Sequence, residues 1–272
     1  MSKIDQFIAS VKTQQIAQTG KQVLLVEGED DVNVFRAFLT KKRTNWEQHW
    51  VVIAAHGKSK VIEIVGKEPD WLGVIDRDEW TDADVQQASQ QNANLFVLPR
   101  FCIESYLIVP DEIWTALPDV QRAKMPNNQA DLNAEINGSL VTWIRHAALW
   151  QVVNPLYQRM RQPNHRGTIL DNPLVVPNRQ ALEQILQAWL DGLDSTLIAN
   201  EVDALEQQYL GMNHHELFTK HLYAKKFYPM VVHQALNRLL GQKSEDVRMN
   251  ALLRTLPLPA DLEPLWVQMG IN

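Results

Sequence analysis

The stretch Val23-Leu24-Leu25-Val26-Glu27-Gly28-Glu29-Asp30-Asp31 decides the fold of this chain. Its aliphatic residues, 23–26, predict a buried strand over residues 22–27, because strands covered on both faces are continuously apolar. An acidic turn follows, and apolar residues then recur at helical spacing from Val32 to Leu39, which predicts a helix. Since α/β proteins place their chemistry at the carboxyl ends of parallel strands, Glu27 is the first candidate functional residue.

The same strand-then-helix pattern recurs along the first hundred residues. Further strands are predicted at 50–55, 71–75 and 94–98. Helices are predicted at 3–18, 30–42, 59–66 and 82–92. Strands that alternate with helices at this spacing indicate an α/β fold, a Rossmann-like parallel sheet with helices on both faces.

After Pro99 the strand pattern stops. Helical periods follow at 130–150, 178–191, 197–210, 227–241 and 246–254. We therefore expect two domains, an α/β catalytic domain over residues 1–115 and a mostly α-helical domain over residues 116–272. The helical domain would bind substrate, mediate dimerisation, or both.

Composition narrows the class of protein. Hydrophobic residues make up 45% of the 272, which is enough for a sizeable core. The single cysteine, Cys102, excludes an internal disulfide framework and a cysteine-based zinc site, and it fits a reducing cytoplasm. No apolar run approaches the roughly 20 residues that span a bilayer. The net charge of −6 argues against nonspecific DNA coating, although a nucleic-acid enzyme with an acidic metal site is compatible with it.

A second group of acids follows the third predicted strand. Asp76 and Asp78 are two residues apart, so in an extended chain both carboxylates point to the same side. Mg²⁺ prefers such carboxylates together with water and phosphate oxygens, and two-metal sites of this kind cleave phosphodiesters. The alternative is that the acids cap helices, since Asp31 and Asp78 both stand where a helix begins.

The two motifs together resemble the TOPRIM fold shared by bacterial primases, topoisomerases and OLD-type nucleases. Val-Glu-Gly-x-x-Asp places the family's glutamate on Glu27 and its later acid on Asp31, and the Asp-x-Asp pair falls on Asp76 and Asp78. The resemblance covers roughly residues 22–108. Within this superfamily the chain is most similar to stand-alone TOPRIM effectors encoded beside an ABC-type ATPase in PARIS-type anti-phage systems. The additional motifs are Gly57-Lys58-Ser59 and Glu104-Ser105-Tyr106-Leu107.

The resemblance implies a metal-dependent nuclease that uses Mg²⁺ or Mn²⁺. Asp76 and Asp78 would hold one ion, Asp31 and Glu104 would complete a second position, and Glu27 would be a ligand or the general acid/base. Lys58 is either a phosphate contact or a solvated helix start. As a toxic defence effector, the protein would cleave tRNA and arrest translation, act as a homodimer, and be held inactive by a partner ATPase until infection.

The helical half supplies basic residues that suit a phosphate backbone. The candidates for nucleic-acid binding are Lys220, Lys225, Lys226, Arg238, Arg159 and Arg161. Interleaved aromatics such as Phe227 and Tyr228 could stack on bases or belong to the core. The resemblance also allows the Lys225-Lys226 pair to deliver a cation to the acidic site, as a lysine does in some related nucleases.

Other hypotheses remain open at this point. A TOPRIM DNA nuclease of the OLD type fits the same acids, although the chain has no Walker A loop of its own. A phosphohydrolase of the haloacid dehalogenase type would use Asp-x-Asp, but it needs a small Thr or Val where Trp80 stands and leaves Glu27 without a role. A degenerate TOPRIM module that only binds a partner protein is the non-enzymatic alternative.

Overall fold

A computed structural model describes residues 2–17, 19–161, 180 and 193–271 of the protein. Its strands form a single parallel sheet with the order β2-β1-β3-β4. The strands are β1 (Gln22–Val26), β2 (Trp50–Ala54), β3 (Leu72–Ile75) and β4 (Leu95–Val97). The predicted parallel α/β sheet, followed by a mostly helical C-terminal region, is therefore confirmed.

Helices connect the strands and make up most of the chain that follows them. In the α/β region they are α1 (Lys3–Val11), α2 (Glu29–Lys42), α3 (Lys58–Lys67) and α4 (Asp82–Gln91). Next come α5 (Pro110–Ala116), α6 (Asp119–Arg122), α7 (Gln129–Asn137) and α8 (Leu140–Arg161). The later α-helices are α9 (Ser195–Leu210), α10 (His214–Glu216), α11 (Ala224–Phe227), α12 (His233–Leu240), α13 (Glu245–Thr255) and α14 (Glu263–Gln268).

Several short segments have tighter or wider helical turns. The 3₁₀ turns are Trp46–Gln48, Ile103–Leu107 and Ala260–Leu262. The π-helical turns are Lys12–Ile16, Leu217–His221 and Tyr228–Val232. The helix predicted at 227–241 is thus α11, a π turn and α12 in succession. The helix predicted at 178–191 lies outside the described residues except for residue 180.

Strand β1 lies at the centre of the sheet and is completely buried from Val23 to Val26. It pairs over its full length with β2, from Gln22 opposite Trp50 to Val26 opposite Ala54. Val23 and Leu25 pack in one core with α1 and α3, while α2 packs on β1 and β2. Because strand side chains alternate between faces, this arrangement covers both faces of β1 and explains its continuous apolar run.

The strand order creates a topological switch point. After β1 the chain adds β2 on one side and then crosses to the other side of β1 to add β3. In such sheets, ligands bind outside the carboxyl ends of the strands where the order reverses. In this protein that position lies between the ends of β1 and β3, where Glu27 and Asp76 follow their strands.

The chain divides into two compact units. The first comprises residues 1–137, 218–220 and 224–272, and the second comprises residues 138–217 and 221–223. The first unit thus contains the whole sheet together with most of the C-terminal helices. The expected domain boundary between residues 115 and 116 stays a prediction.

The second unit is built on the packing of α8 against α9. Arg145 on α8 forms ion pairs with Asp203, at 3.0 Å, and with Glu206 on α9. Trp150 and Tyr223 stack in parallel, with ring centroids 3.8 Å apart. In the described part of the chain, no helix is both long enough and apolar enough to cross a membrane.

Gly73 gives a test of the packing between β3 and α3. A β-carbon on Gly73 would lie 2.7 Å from a methyl group of Val65 and 2.8 Å from one of Val61, closer than packed carbons allow. We expect Gly73→Ala to lower the free energy of unfolding by about 1–3 kcal/mol in urea denaturation. The matched control is Gly66→Ala on α3, whose β-carbon has room and should leave stability unchanged or raise it by about 1 kcal/mol. Equal effects of the two substitutions would contradict this packing.

Candidate functional site

Glu27 is the first residue after β1, and its carboxylate crosses to the next strand. Its Oε1 accepts a hydrogen bond of 2.8 Å from the backbone N–H of Asp76, which follows β3. Its own carbonyl accepts from the N–H of Gly57 at 3.0 Å. Gly57 starts α3 with a φ of 130°, a backbone conformation that favours glycine. The ends of β1, β2 and β3 are therefore joined through Glu27.

Asp76 is the most buried acid of the site, with 4% of its surface exposed. One carboxylate oxygen accepts from the backbone N–H of Ile103 at 3.2 Å. The other lies 2.6 Å from the Lys225 ammonium group. Lys225 is 149 residues away along the chain, yet it belongs to the same compact unit. A buried carboxylate needs such a partner, because an unpaired buried charge costs several kcal/mol.

Asp78 stands in a left-handed backbone conformation, with a φ of 50°. Aspartate tolerates this conformation better than most residues, and the N–H of Asp78 donates to the carbonyl of Phe101 at 2.7 Å. The side chain forms an ion pair with Lys58 at 2.5 Å. The Lys58 ammonium also lies 4.8 Å from the ring centre of Trp80, a distance that suits a cation–π contact. Lys58 is thus held on two sides.

Glu27, Asp76 and Asp78 form a compact oxygen cluster. Each offers a carboxylate oxygen, and the three oxygens lie within 4.8 Å of one another. Hard divalent cations such as Mg²⁺ and Mn²⁺ are bound by ligands of this kind. The structure therefore brings together three of the acids that the sequence singled out, at the switch point of the sheet.

Asp31 and Glu104 lie close enough to influence the cluster electrostatically but are not part of the three-oxygen group. One Asp31 oxygen accepts a hydrogen bond of 2.8 Å from the Gly28 N–H, which makes Asp31 a cap of α2. Glu104 lies in the 3₁₀ turn after β4, and its Oε2 is buried without a hydrogen-bond partner among the described residues. A buried polar atom without a partner is costly, so Glu104 has the capacity for one more ligand.

Burial and mutual repulsion shift the protonation of these acids. Burial raises the pKa of Asp31 to about 6, and the charges of Glu104 and Glu27 add to the rise. Burial likewise raises the pKa of Asp76, and the ammonium group of Lys225 opposes the rise. Burial also raises the pKa of Glu27, although the Asp76 N–H and Lys58 oppose it. Carboxyl groups with raised pKa values can exchange protons near neutral pH.

Lys225 keeps its charge in this setting. Burial alone disfavours the ammonium form, but the carboxylates of Asp76 and Asp78 outweigh it and raise the pKa of Lys225 above its ordinary value. Asp78 Oδ1 lies 3.8 Å from the ammonium nitrogen. Lys225 is therefore a cation inside the acid cluster. The sequence analysis allowed this role for the Lys225-Lys226 pair, besides nucleic-acid binding, and the structure places Lys225 there.

The other basic candidates for nucleic-acid binding differ in their exposure. Lys226 is exposed, Lys220 is half-buried, and the exposed Arg238 forms an ion pair with Glu135 at 2.6 Å. The side chains of Arg159 and Arg161 lie outside the described part. The aromatic residues Phe227 and Tyr228 are completely buried, so they are core residues that cannot stack on a base. The use of the basic residues for nucleic-acid binding stays a prediction.

Arg100 is a contributor that the sequence reasoning missed. Its buried guanidinium bonds Glu112 through two nitrogens, at 2.7 and 2.8 Å, and Asp261 at 2.8 Å. It also lies 4.1 Å from the ring centre of Tyr106. Arg100 directly precedes the segment whose backbone binds Asp76 and Asp78. A charged residue between the apolar Leu98 and Phe101 was the available signal.

The raised pKa of Asp31 makes a prediction about stability. The folded protein holds this proton to about pH 6, whereas the unfolded chain releases it near 3.8, so the free energy of unfolding falls as the pH rises between these values. The shift corresponds to at most about 3 kcal/mol, and partial exposure reduces it to about 2 kcal/mol. Asp31→Asn keeps an acceptor for Gly28 but cannot titrate. We expect the free energy of unfolding, measured by urea denaturation in EDTA, to fall between pH 4 and pH 7 in the wild type. In Asp31→Asn the fall should be smaller by about 2 kcal/mol. Superimposable pH profiles would contradict the shift.

Comparison with known proteins identifies a family. Residues 21–168, more than half of the chain, match the family model described as "Protein of unknown function (DUF3226)". The matched region includes all four strands of the sheet and the three acids of the oxygen cluster. The chain has no significant match among curated proteins. On the extent of the family match, the chain belongs to the DUF3226 family.

Proposed function

We propose that this protein is a metal-dependent TOPRIM nuclease that hydrolyses phosphodiester bonds. The observation that carries the proposal is the oxygen cluster of Glu27, Asp76 and Asp78 at the ends of two adjacent strands. The parallel sheet and its switch point are consistent with a TOPRIM domain. The sequence motifs around Glu27 and Asp76 supply the resemblance on which the family assignment to TOPRIM rests.

The donor atoms fit a hard divalent cation, Mg²⁺ or Mn²⁺. Three carboxylates converge within 4.8 Å, and the buried Glu104 Oε2 lacks a partner among the described residues. The ammonium group of Lys225 lies beside Asp76, so the site already accommodates a positive charge at this position. Asp76 and Asp78 would hold the ion, with Asp31 and Glu104 beside them. Glu27 would be either a third ligand or the general acid/base. When bound, the ion would supply Lewis acidity toward phosphate oxygens and would acidify a bound water.

The side chains can perform the remaining steps of hydrolysis. If Glu27 does not bind the ion, its carboxylate, whose pKa is raised by burial, can accept a proton from the attacking water as the general acid/base. The P–O bond to the leaving group breaks as the water oxygen bonds to phosphorus. The proton that Glu27 takes from the water is passed on, through solvent, to the departing oxygen. Lys58 and Lys225 provide positive charge for the negative charge that develops on phosphate.

The substrate and partner follow from the resemblance to PARIS-type effectors. We propose tRNA as the first substrate class and DNA as the second, with cleavage of tRNA arresting translation. A partner ATPase of the same defence system would hold the toxic enzyme inactive until infection. The active form would be a homodimer in the cytoplasm.

A non-catalytic interaction module is the second candidate, and one observation favours it. Asp76 and Asp78 are each paired with a lysine, at 2.6 and 2.5 Å, so two of the three clustered acids already have counter-charges. A metal ion would have to displace Lys225 from Asp76, and a module without metal would keep this ion pair. Metal uptake therefore separates the two candidates.

Removal of Lys225 tests whether its ammonium group acts in place of a metal ion. Lys225→Met leaves Asp76 buried and unpaired, which costs about 3–5 kcal/mol for a full buried pair and less here because 36% of the Lys225 side chain is exposed. We expect a loss of about 2 kcal/mol in EDTA, largely restored by Mn²⁺. Lys226→Met is the control, since Lys226 is exposed. If Lys225→Met and Lys226→Met behave alike in both buffers, Lys225 does not neutralise the cluster.

Cleavage assays test the nuclease. Purified wild type, Glu27→Gln and Asp76→Asn are incubated with total tRNA and with supercoiled plasmid, in Mg²⁺, Mn²⁺ or EDTA. We expect metal-dependent cleavage by the wild type and a loss of roughly 10²-fold or more in Glu27→Gln. Glu63→Gln, an exposed acid on α3, should cleave normally.

The outcomes separate the hypotheses. Full cleavage by Glu27→Gln would contradict the mechanism. Absence of both cleavage and calorimetric Mn²⁺ uptake by the wild type would leave the interaction module. Cleavage of plasmid but not tRNA would assign the DNA nuclease.

A further inference from the structure

Strand β2 is an outer strand of the sheet without the usual protection. Among the described residues, only β1 pairs with it. Its sequence, Trp50-Val51-Val52-Ile53-Ala54, contains no charge and no proline. Natural edge strands usually carry charged residues, prolines or bulges, because an uncovered edge pairs with other strands. The composition of β2 is therefore that of an edge strand that pairs with a further strand.

The direction of the backbone groups follows from the pairing with β1. The Ala55 N–H donates to Val26 at 2.8 Å, and the His49 carbonyl accepts from Gln22 at 2.8 Å. Residues of odd number on β2 therefore face β1, and alternation makes Trp50, Val52 and Ala54 present their N–H and C=O groups to the opposite side. Three donors and three acceptors thus point away from the sheet.

The described residues leave an open space beside this edge. A groove of about 370 Å³ runs along Val51–Ala54. Phe7, Ser10 and Val11 of α1 form one wall, and Glu29, Asn33 and Arg36 of α2 form the other. Helix α2 packs on one face of β2 and the side chains of Trp50, Val52 and Ala54 are buried, but the outer backbone groups of the strand have no hydrogen-bond partner in the backbone of the described residues. The side chains of Val51 and Ile53, which share one face, are only half-buried.

The edge is complementary to itself. Val52 is the middle residue of β2 and also one of the residues whose hydrogen-bonding groups face outward. A two-fold axis beside Val52 would pair the strand antiparallel with its own copy, so that Trp50 lies opposite Ala54 and Val51 opposite Ile53. The first pair matches a large side chain with a small one, and the second matches two β-branched side chains, a favourable cross-strand pair.

Charge does not oppose this pairing. The groove walls carry one acid, Glu29, and one base, Arg36, so two copies meet without net like charge along the α2 wall. Isologous contacts of this type are the commonest form of association in soluble proteins. We propose that two copies of this chain associate through antiparallel pairing of their β2 edges and form a continuous eight-stranded sheet. The proposal does not depend on the nuclease activity.

Disulfide trapping between two different variants tests the register. Val51 and Ile53 of opposite copies would form a non-hydrogen-bonded pair with Cα atoms about 4.5 Å apart, which suits a disulfide. Val51→Cys and Ile53→Cys are oxidised separately and as a mixture, and the products are examined by non-reducing gel and mass spectrometry. We expect a linked dimer in the mixture and none in either variant alone. Native Cys102 is completely buried and gives no background.

The oligomeric state supplies the second measurement. Sedimentation should give a dimer for the wild type and a monomer for Val52→Pro, which removes an outward N–H that β1 does not use. Circular dichroism shows whether Val52→Pro folds. If it does not, Ile53→Lys, which places a charge on β2, is the second variant and should also be a monomer. Val120→Lys, at a residue 77% exposed, is the control and should remain a dimer. A monomeric wild type, a dimer that survives Ile53→Lys, or a mixture without the cross-link would overturn the proposal.

Discussion

The Lys225–Asp76 ion pair is the interaction on which the site depends. Asp76 is almost entirely withdrawn from water and lies among other acids that raise its pKa. Without a counter-charge, such a cluster would either protonate or spread apart, because like charges in a poorly solvated place repel strongly. The ammonium group at 2.6 Å keeps the carboxylates together. The geometry of the oxygen cluster is thus a balance between repulsion among the acids and the attraction of two cations, Lys58 beside Asp78 and Lys225 beside Asp76.

The sheet illustrates what a sequence can reveal. The apolar run 23–26 is continuous because both faces of β1 are covered, and its period and length were sufficient to place the strand within one residue. The proximity of the acids after β1 and β3 was predictable from the sequence, because the carboxyl ends of parallel strands lie at the same edge of a sheet. Strand order was not predicted, since apolar runs do not specify neighbours. Helix α5 begins at Pro110, because a proline is well tolerated at the first position of a helix.

The features of the site that the sequence did not predict depend on contacts between residues that are far apart along the chain. Nothing local in the sequence indicates that Lys225 reaches Asp76 while its neighbour Lys226 stays exposed, because the choice depends on how α11 is oriented by its buried residues Ala224 and Phe227. Arg100 is similar. Its partners Glu112 and Asp261 come from two separate segments, and together they support the turn that contains Ile103. Local pattern predicts where charged groups stand along the chain, but tertiary packing decides which of them meet.

The discontinuous first compact unit has a consequence for synthesis of the protein on the ribosome. All four strands and every acid of the cluster precede residue 105, whereas the cation that neutralises Asp76 is residue 225. A growing chain therefore displays its carboxylates for the time needed to add more than a hundred residues before Lys225 leaves the exit tunnel. During that interval Lys58 can already pair with Asp78, but Asp76 lacks the counter-charge that it has in the finished structure. The acidic edge reaches its final form only after Lys225 has been synthesised and has paired with Asp76.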